Sequence, residues 1–424
     1  MHDVVIIGAG LAGLTCARAL QARGVDCVVV EASDAPGGRV RTDEVEGFRL
    51  DRGFQVLLTA YPAARAALDY GSLRLGEFEP GARMATPEGA ARVSDPWRRP
   101  GRFWETLRAP VGTLGDKLLV GALRLAATRG TAADGWPSGN VAGGGEILST
   151  AEELARRGFS PLMRERFLRP WLSGIFLERE LSTPAAMLFF VYGMFARGAA
   201  ALPAGGMQRI PEQLASGLRP GTLRLGEAAR SVREGQVVLA SGETLRAREV
   251  VVAVEAGAEA VLGLDGRGSE AAWRGVTCVQ WSAPRSPLAG EPVLWLNGMG
   301  SGLVNTLAVP SDVAAEYAPA GQTLVSTTVL GEPGLGGAEA NATLIRVLRE
   351  EHSGYFGAEA GDWRPLAVQR IRRALPVLAR PGRGYALERS PVGVWRCGDH
   401  TTSASIQGAM ASGAAVAAAI LKQG

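Results

Sequence analysis

The residues with the clearest chemical use open the chain: Gly8, Gly10 and Gly13 form a G-x-G-x-x-G. They follow "DVVII", a short run of β-branched residues, and lead into "LAGLTCARALQARG", a helix-like stretch that starts with Leu11 and Ala12. A second apolar run, "DCVVVEA", ends in Glu31 and Ala32. Strand, glycine turn, helix and strand make a βαβ unit. Its glycines let the backbone approach a pyrophosphate, and the helix N-terminus faces that anion. An acid closing the second strand accepts hydrogen bonds from a ribose. A glutamate there repels a 2′-phosphate, so a dinucleotide without one is expected.

The next stretch bears on which dinucleotide it is. "EASDAPGGRVRT" sets Gly37, Gly38 and Arg39 after the acid, followed by Val40 and Arg41. Paired glycines let the backbone crowd a ligand, and a guanidinium reaches its phosphates. "FRLDRGFQVL" then carries Asp51-x-Gly53. With these residues the chain resembles the flavoprotein superfamily of amine oxidases, protoporphyrinogen oxidases and phytoene desaturases. The resemblance implies a non-covalent FAD. It puts Arg39 at the pyrophosphate and Gly53, Phe54, Gln55 and Val56 beside the isoalloxazine. "ALPAGGMQRIPEQLA" matches the superfamily's P-x-G-G-M, and Ala229 stands where the backbone meets the adenine.

The C-terminal run "GVWRCGDHTTSASIQGAMASGAAVAAAIL" completes the likeness. Its strand ends at Gly398 and Asp399, and a helix of small residues starts near Ser405. By the resemblance, Asp399 bonds the ribityl chain, and the helix start, with Ser405, Ile406 and Ala409, points at the flavin N1/C2=O edge. Reduced flavin is negative there, and a helix N-terminus offers free N–H groups with about half a positive charge. Cys397 precedes the acid on a strand and should not face the ring, so no covalent link is expected. The likeness covers nearly the whole chain and is closer to the desaturase and protoporphyrinogen oxidase branch.

Such a cofactor implies an oxidoreductase that passes a hydride from a substrate C–H to flavin N5. Neither a Ser/His/Asp set nor a metal cluster competes with that chemistry. Many amine oxidases of the superfamily place a lysine on a substrate-side strand; "WRGVTCVQWSA" has none. They also carry an aromatic residue where Ser405 stands. Both differences favour a largely apolar small molecule and a desaturase or dehydrogenase, with oxygen or a quinone as electron acceptor. An amine oxidase with a remodelled site and a non-redox flavin-dependent isomerase are the alternatives. Gln55 and His400 are the catalytic candidates. Phe176, Phe189, Phe190 and Phe195 are expected to line the substrate cavity.

These motifs require an α/β fold. A discontinuous Rossmann-type FAD-binding domain is expected from residues 1–75, 204–265 and 385–424. A mixed-sheet and helical substrate-binding domain is expected from 76–203 and 266–384. The first insert reads as helical, with 83–103 as a loop. The second alternates, with strands in "WRGVTCVQWSA", "PVLWLNG", "SGLVNTLAV" and "QTLVSTTVL" and a helix in "EANATLIRVLREEHSGYF". The run from 223 to 254 reads as three short strands.

Of the 424 residues 46% are hydrophobic and 21% charged, the range of globular proteins, and the net charge of +3 is too small to indicate a nucleic-acid partner. Lys117 and Lys422 are the only lysines, which restricts lysine chemistry to two positions. Four cysteines without a C-x-x-C fit free thiols in a reducing compartment. The first strand leaves no room for a signal peptide before it, and the apolar stretch 184–203 is interrupted by Arg197 and closed by Pro203, so a cytoplasmic protein is expected. In segment 116–127, Leu119, Ala122, Leu123 and Ala126 share a face that could rest on a membrane surface or a greasy substrate.

Overall fold

The computed structural model describes residues 1–129, 147–264, 272–334, 339–378, 389–390 and 392–423. The expected boundaries at 265/266 and 384/385 lie outside the described residues. The boundary at 75/76 falls within a short strand, Leu75–Glu77, which pairs with Ala200–Pro203.

Five strands run parallel in one sheet, in the order Leu223–Arg224, Cys27–Val30, His2–Ile7, Thr244–Val252 and Trp395–Arg396. Val4–Ile7 and Cys27–Val30 are buried throughout. Both faces of this sheet are covered, which is why the strands read as continuous apolar runs rather than alternations. An antiparallel hairpin, Ala229–Arg233 with Gln236–Leu239, extends the sheet from the first half of Thr244–Val252. The region thus holds four strands rather than three.

Register decides what gathers at the carboxyl ends. Ile7 lies opposite Val30 and Val252, and Val252 lies opposite Arg396. Gly8, Glu31, Ala253 and Gly398 therefore leave the sheet along one edge, where ligands of open α/β sheets bind. Behind that edge the helices Leu11–Gln21 and Ile406–Leu421 pack together. A Cβ on Gly413 would sit 2.1 Å from the Ala12 carbonyl oxygen, and one on Gly13 would sit 2.0 Å from that of Gly8. Only glycine permits either approach, so the small-residue character of the last helix is a packing requirement.

A second, mixed sheet of seven strands runs in the order Arg364–Pro376, Trp273–Ala283, Thr323–Leu330, Val304–Ala308, Leu294–Asn297, Gly81–Thr86 and Gly89–Ser94. Its last two strands correct the expectation of a loop at 83–103 for residues 83–94, while 95–99 hold neither helix nor strand. Pro87 and Gly89 give that stretch the look of a loop, yet they form the turn of a hairpin that buries Met84, Thr86, Arg92 and Ser94. Arg364–Pro376 is a strand that the sequence hides, because Arg370, Arg372 and Arg373 blur its alternation. The helix Ala340–Phe356 covers this sheet over a core that includes Trp281, Trp295 and Trp363.

Four helical stretches lie over the cavity side: Leu114–Arg129, Thr150–Arg156, the run 161–176 and Ala185–Arg197. Among the described residues, no helix is long and apolar enough to cross a membrane. Ala185–Arg197 is instead a core helix, with Met187–Val191 buried.

Candidate active site

A cavity of about 1470 Å³ starts at the carboxyl edge of the parallel sheet and runs between the mixed sheet and the helices. Pockets for one small ligand occupy roughly 300–1,000 Å³, so this one has room for a dinucleotide and a second molecule. Its first end is built by the βαβ turn. Gly8 has φ of 102°, and Gly10 caps the helix Leu11–Gln21 without any side-chain bond to the first-turn N–H groups. A Cβ on Gly10 would meet no protein atom within 4 Å and would project into the cavity that Gly10 lines. That open cradle, facing free N–H donors, fits a pyrophosphate.

Glu31 lines the same end. Its carboxylate accepts from the Ala9 N–H at 2.7 Å, the Ser33 N–H at 2.9 Å and the Ser33 hydroxyl at 2.7 Å. A carboxylate has about four acceptor positions, so room remains for a ribose hydroxyl. Arg39 donates to the Asp399 carboxylate at 2.5 Å and to the Ala374 carbonyl at 3.0 Å. Its guanidinium stacks over Trp273, 5.4 Å from the ring centroid.

The D-x-G loop enters the wall from the hairpin Thr42–Val45 and Phe48–Asp51. Gln55 donates to the carbonyls of Arg39 and Arg52, both at 2.9 Å, and so ties the loop to the arginine turn. The mixed sheet grips the same loop. The Gly53 N–H donates to Gln369 at 3.0 Å, and the Phe54 N–H points to the Cys278 sulfur at 3.4 Å. Below, the buried Asp51 accepts from the Thr42 hydroxyl at 2.5 Å, the Met207 N–H at 2.9 Å and the Tyr317 hydroxyl at 2.7 Å. Burial pushes its pKa up to about 6, against the lowering effect of these hydrogen bonds. Asp51 thus joins the D-x-G segment to the P-A-G-G-M segment. Both motifs were legible, but their meeting point was not.

Gly398 and Asp399 end the last parallel strand, and Ser405 caps the helix Ile406–Leu421, its hydroxyl accepting from the Gly408 N–H at 3.0 Å. His400 lines the wall, and its Nε2 lies 3.1 Å from the carboxylate of Glu259, which also binds Arg396. Burial acts to raise the Glu259 pKa, but His400 and Arg396 outweigh it and hold the acid below the usual carboxylate range. Glu259, Gln369 and Cys278 had no motif to mark them, since each reaches the site only through tertiary packing. Cys397 is fully buried and absent from the wall, and burial pushes its thiol up to about 12.

Seventeen of the residues expected at the cofactor line this cavity; Gly13, Ala32, Arg41 and Ala229 do not. Gly13 serves helix packing, as above. Arg41 is instead paired with the exposed Asp34, at 3.1 and 3.2 Å. Ala229 lies in the antiparallel hairpin opposite Leu239. At the far end Phe176 and Phe195 line the wall as expected, but Phe189 and Phe190 do not. Phe190 stacks on Tyr61, with centroids 6.0 Å apart, and Phe189 packs under the Arg157 guanidinium. The far wall is aromatic instead through Trp97, Phe103, Phe167, Trp171 and Tyr192. Its one lysine, Lys117, donates its ammonium to the carbonyls of Leu107 and Ala109.

A parallel sheet with a glycine cradle, a ribose-side acid and a second helix aimed into one elongated cavity defines a dinucleotide-dependent protein of the Rossmann type. The family model described as "Flavin containing amine oxidoreductase" matches residues 11–421. The chain therefore belongs to that family of FAD-dependent oxidoreductases, and its cofactor is FAD. It is 28% identical over 367 residues to polyamine oxidase 1 of Oryza sativa subsp. japonica, covering 78% of this chain and 66% of the relative. It is 52% identical to a phytoene dehydrogenase of Streptomyces griseus over only 57 residues, 13% of this chain and 11% of that one. The chain thus spans less than two thirds of these relatives. In fold it is similar to a variant of putrescine oxidase, with a TM-score of 0.73 and 18% identity over 100% of this chain and 99% of the other.

Proposed function

We propose that this protein is an FAD-dependent desaturase or dehydrogenase that removes a hydride from a C–H of a largely apolar small molecule. FAD, when bound, supplies the two-electron acceptor. The chain's own residues hold that cofactor non-covalently at Gly10, Glu31, Arg39 and Asp399, exclude water and orient the substrate.

One observation carries the substrate class. Four of the five carboxylates in the described wall are already paired with an arginine, Glu79 with Arg92, Asp95 with Arg124, Glu255 with Arg373 and Asp399 with Arg39, and the fifth, Glu31, lies at the cofactor end. On the sheet side the wall presents Val276, Thr306, Thr328 and Ile371. A charged ammonium brought into such a site would lose its water without gaining a free counter-charge. An apolar chain gains about 25 cal/mol per Å² buried.

The amine oxidase reading is favoured by the 28% identity to a polyamine oxidase over 367 residues and by Tyr61 and Tyr192, which also line the wall. Tyr61 is packed flat on Phe190, and the Tyr192 hydroxyl lies 3.5 Å from the Val120 carbonyl. That contact occupies the Tyr192 hydroxyl, whereas stacking leaves the Tyr61 hydroxyl uncommitted, so Tyr61 is the polar handle an amine would use. Anaerobic mixing of the holoenzyme with a panel of amines and polyenes tests the proposal. Bleaching of the flavin by apolar polyenes alone is expected. Bleaching by amines would overturn the substrate class, and turnover that needs pre-reduced flavin without net electron consumption would make the protein an isomerase.

A further inference from the structure

The far end of the cavity opens among large apolar side chains that face outward. Trp97, Phe103 and Trp104 are 55%, 42% and 63% exposed, and Leu114, Leu118 and Leu125 are 65%, 78% and 46% exposed. Trp97, Phe103, Leu114 and Leu118 also line the cavity, so the apolar patch forms its rim. Of the helix face singled out in the sequence only Ala122 is exposed, since Leu123 is fully buried and Leu119 and Ala126 are half-buried. The outward face of that helix is the one bearing Leu114, Leu118 and Leu125.

The patch is held in place. Arg124 stacks over the Trp97 ring at 5.0 Å, and Phe103 and Trp104 meet edge to face at 5.3 Å. Cationic side chains are interleaved with it. The stretch 96–108 carries Arg98, Arg99, Arg102 and Arg108; Arg99 pairs with Glu79 and Arg102 with Glu105 and Glu291, and Arg98 donates to the Gly198 carbonyl. Arg108 is exposed and has no acidic partner among the described residues. Exposed aromatic and leucine side chains among arginines match the acyl–headgroup boundary of an anionic bilayer, where apolar groups sink and guanidinium groups stay with the phosphates.

We infer that the rim formed by residues 97–125 docks on an anionic lipid surface, with the cavity mouth facing the acyl chains, so that an apolar substrate passes from lipid to site without crossing water. The inference rests on the proposed substrate class, but its test does not. Holoenzyme is floated with vesicles of phosphatidylcholine alone or mixed with phosphatidylglycerol. Partition onto the mixed vesicles is expected, with a marked fall at high salt. The double variant Trp104→Ser/Leu125→Ser, whose residues do not line the cavity, should lose at least tenfold in partition while keeping its flavin and melting temperature. Arg108→Gln should weaken binding to the mixed vesicles only. Absence of partition onto the mixed vesicles, or partition unchanged in the double variant, overturns the inference. So does a dimer of the holoenzyme that the double variant abolishes, which would assign the patch to a second copy of the chain. Vesicle binding together with failure of every apolar substrate to bleach the flavin would remove the substrate reading and leave the docking surface standing.

Discussion

Arg39 and Asp399, 360 residues apart in the chain, meet as a 2.5 Å ion pair in the wall of the central cavity. The arginine follows the first βαβ unit, and the acid ends the last parallel strand. The pair closes the cofactor end of the site by joining the two termini of the fold. Asp399 is nearly buried, with its side chain 7% exposed, and depends on its partner.

Removing both members should therefore cost less than the sum of removing each alone. We expect Arg39→Ala and Asp399→Asn each to weaken FAD retention and lower the melting temperature. The double variant should be less destabilised than the sum, with a coupling of about 1–3 kcal/mol. A double-mutant cycle by thermal unfolding of the apoprotein measures this. Simple additivity would show that the two groups act independently.

Glu31→Ala should reduce FAD affinity by about 1.5–3 kcal/mol, the range for hydrogen bonds to a charged group. The spectrum of whatever flavin remains bound should hardly change. Equilibrium dialysis against FAD provides the measurement, and unchanged affinity would remove Glu31 from the ribose.

Asp51 gives stability a pH dependence of unusual sign. Its folded pKa of about 6 lies above the unfolded value of about 3.9. Its contribution is therefore complete below about pH 4 and is lost as pH rises through 6, a change of about 3 kcal/mol. Asp51→Asn cannot ionise. Its unfolding free energy, followed by denaturant titration from pH 4 to 7, should lack this decline relative to the parent protein.

His352 acts in the opposite direction. It is fully buried among Trp281, Phe356 and Trp363, with Nε2 3.0 Å from the Thr327 hydroxyl. Burial pushes its pKa down to about 3. The folded state holds it neutral, so its contribution is present above about pH 6.5 and is lost as pH falls, by about 3 kcal/mol at pH 4. His352→Gln keeps a hydrogen-bonding side chain but does not titrate in this range. Its melting temperature should fall less steeply than the parent's below pH 6, and an identical slope would place the acid sensitivity elsewhere.

The sequence by itself determined the parts of this protein whose chemistry is local. A βαβ turn needs its glycines, its strands and its acid within some thirty residues, and so Gly8, Gly10, Gly13 and Glu31 could be read together. The helix after Asp399 was legible for the same reason, as were most strands of the mixed sheet. The tertiary structure decided whatever depends on elements meeting from afar. It joined Asp51 to Met207 and Tyr317, set Glu259 behind His400, and brought Gln369 and Cys278 to the D-x-G loop. It turned residues 83–94 of the loop-like stretch into a sheet edge and sent Phe189 and Phe190 into the core in place of the cavity wall. A single side chain carries no record of its distant neighbours. Which face of a helix is covered, and which carboxylate already has a cation, is fixed only when the sheets and helices pack.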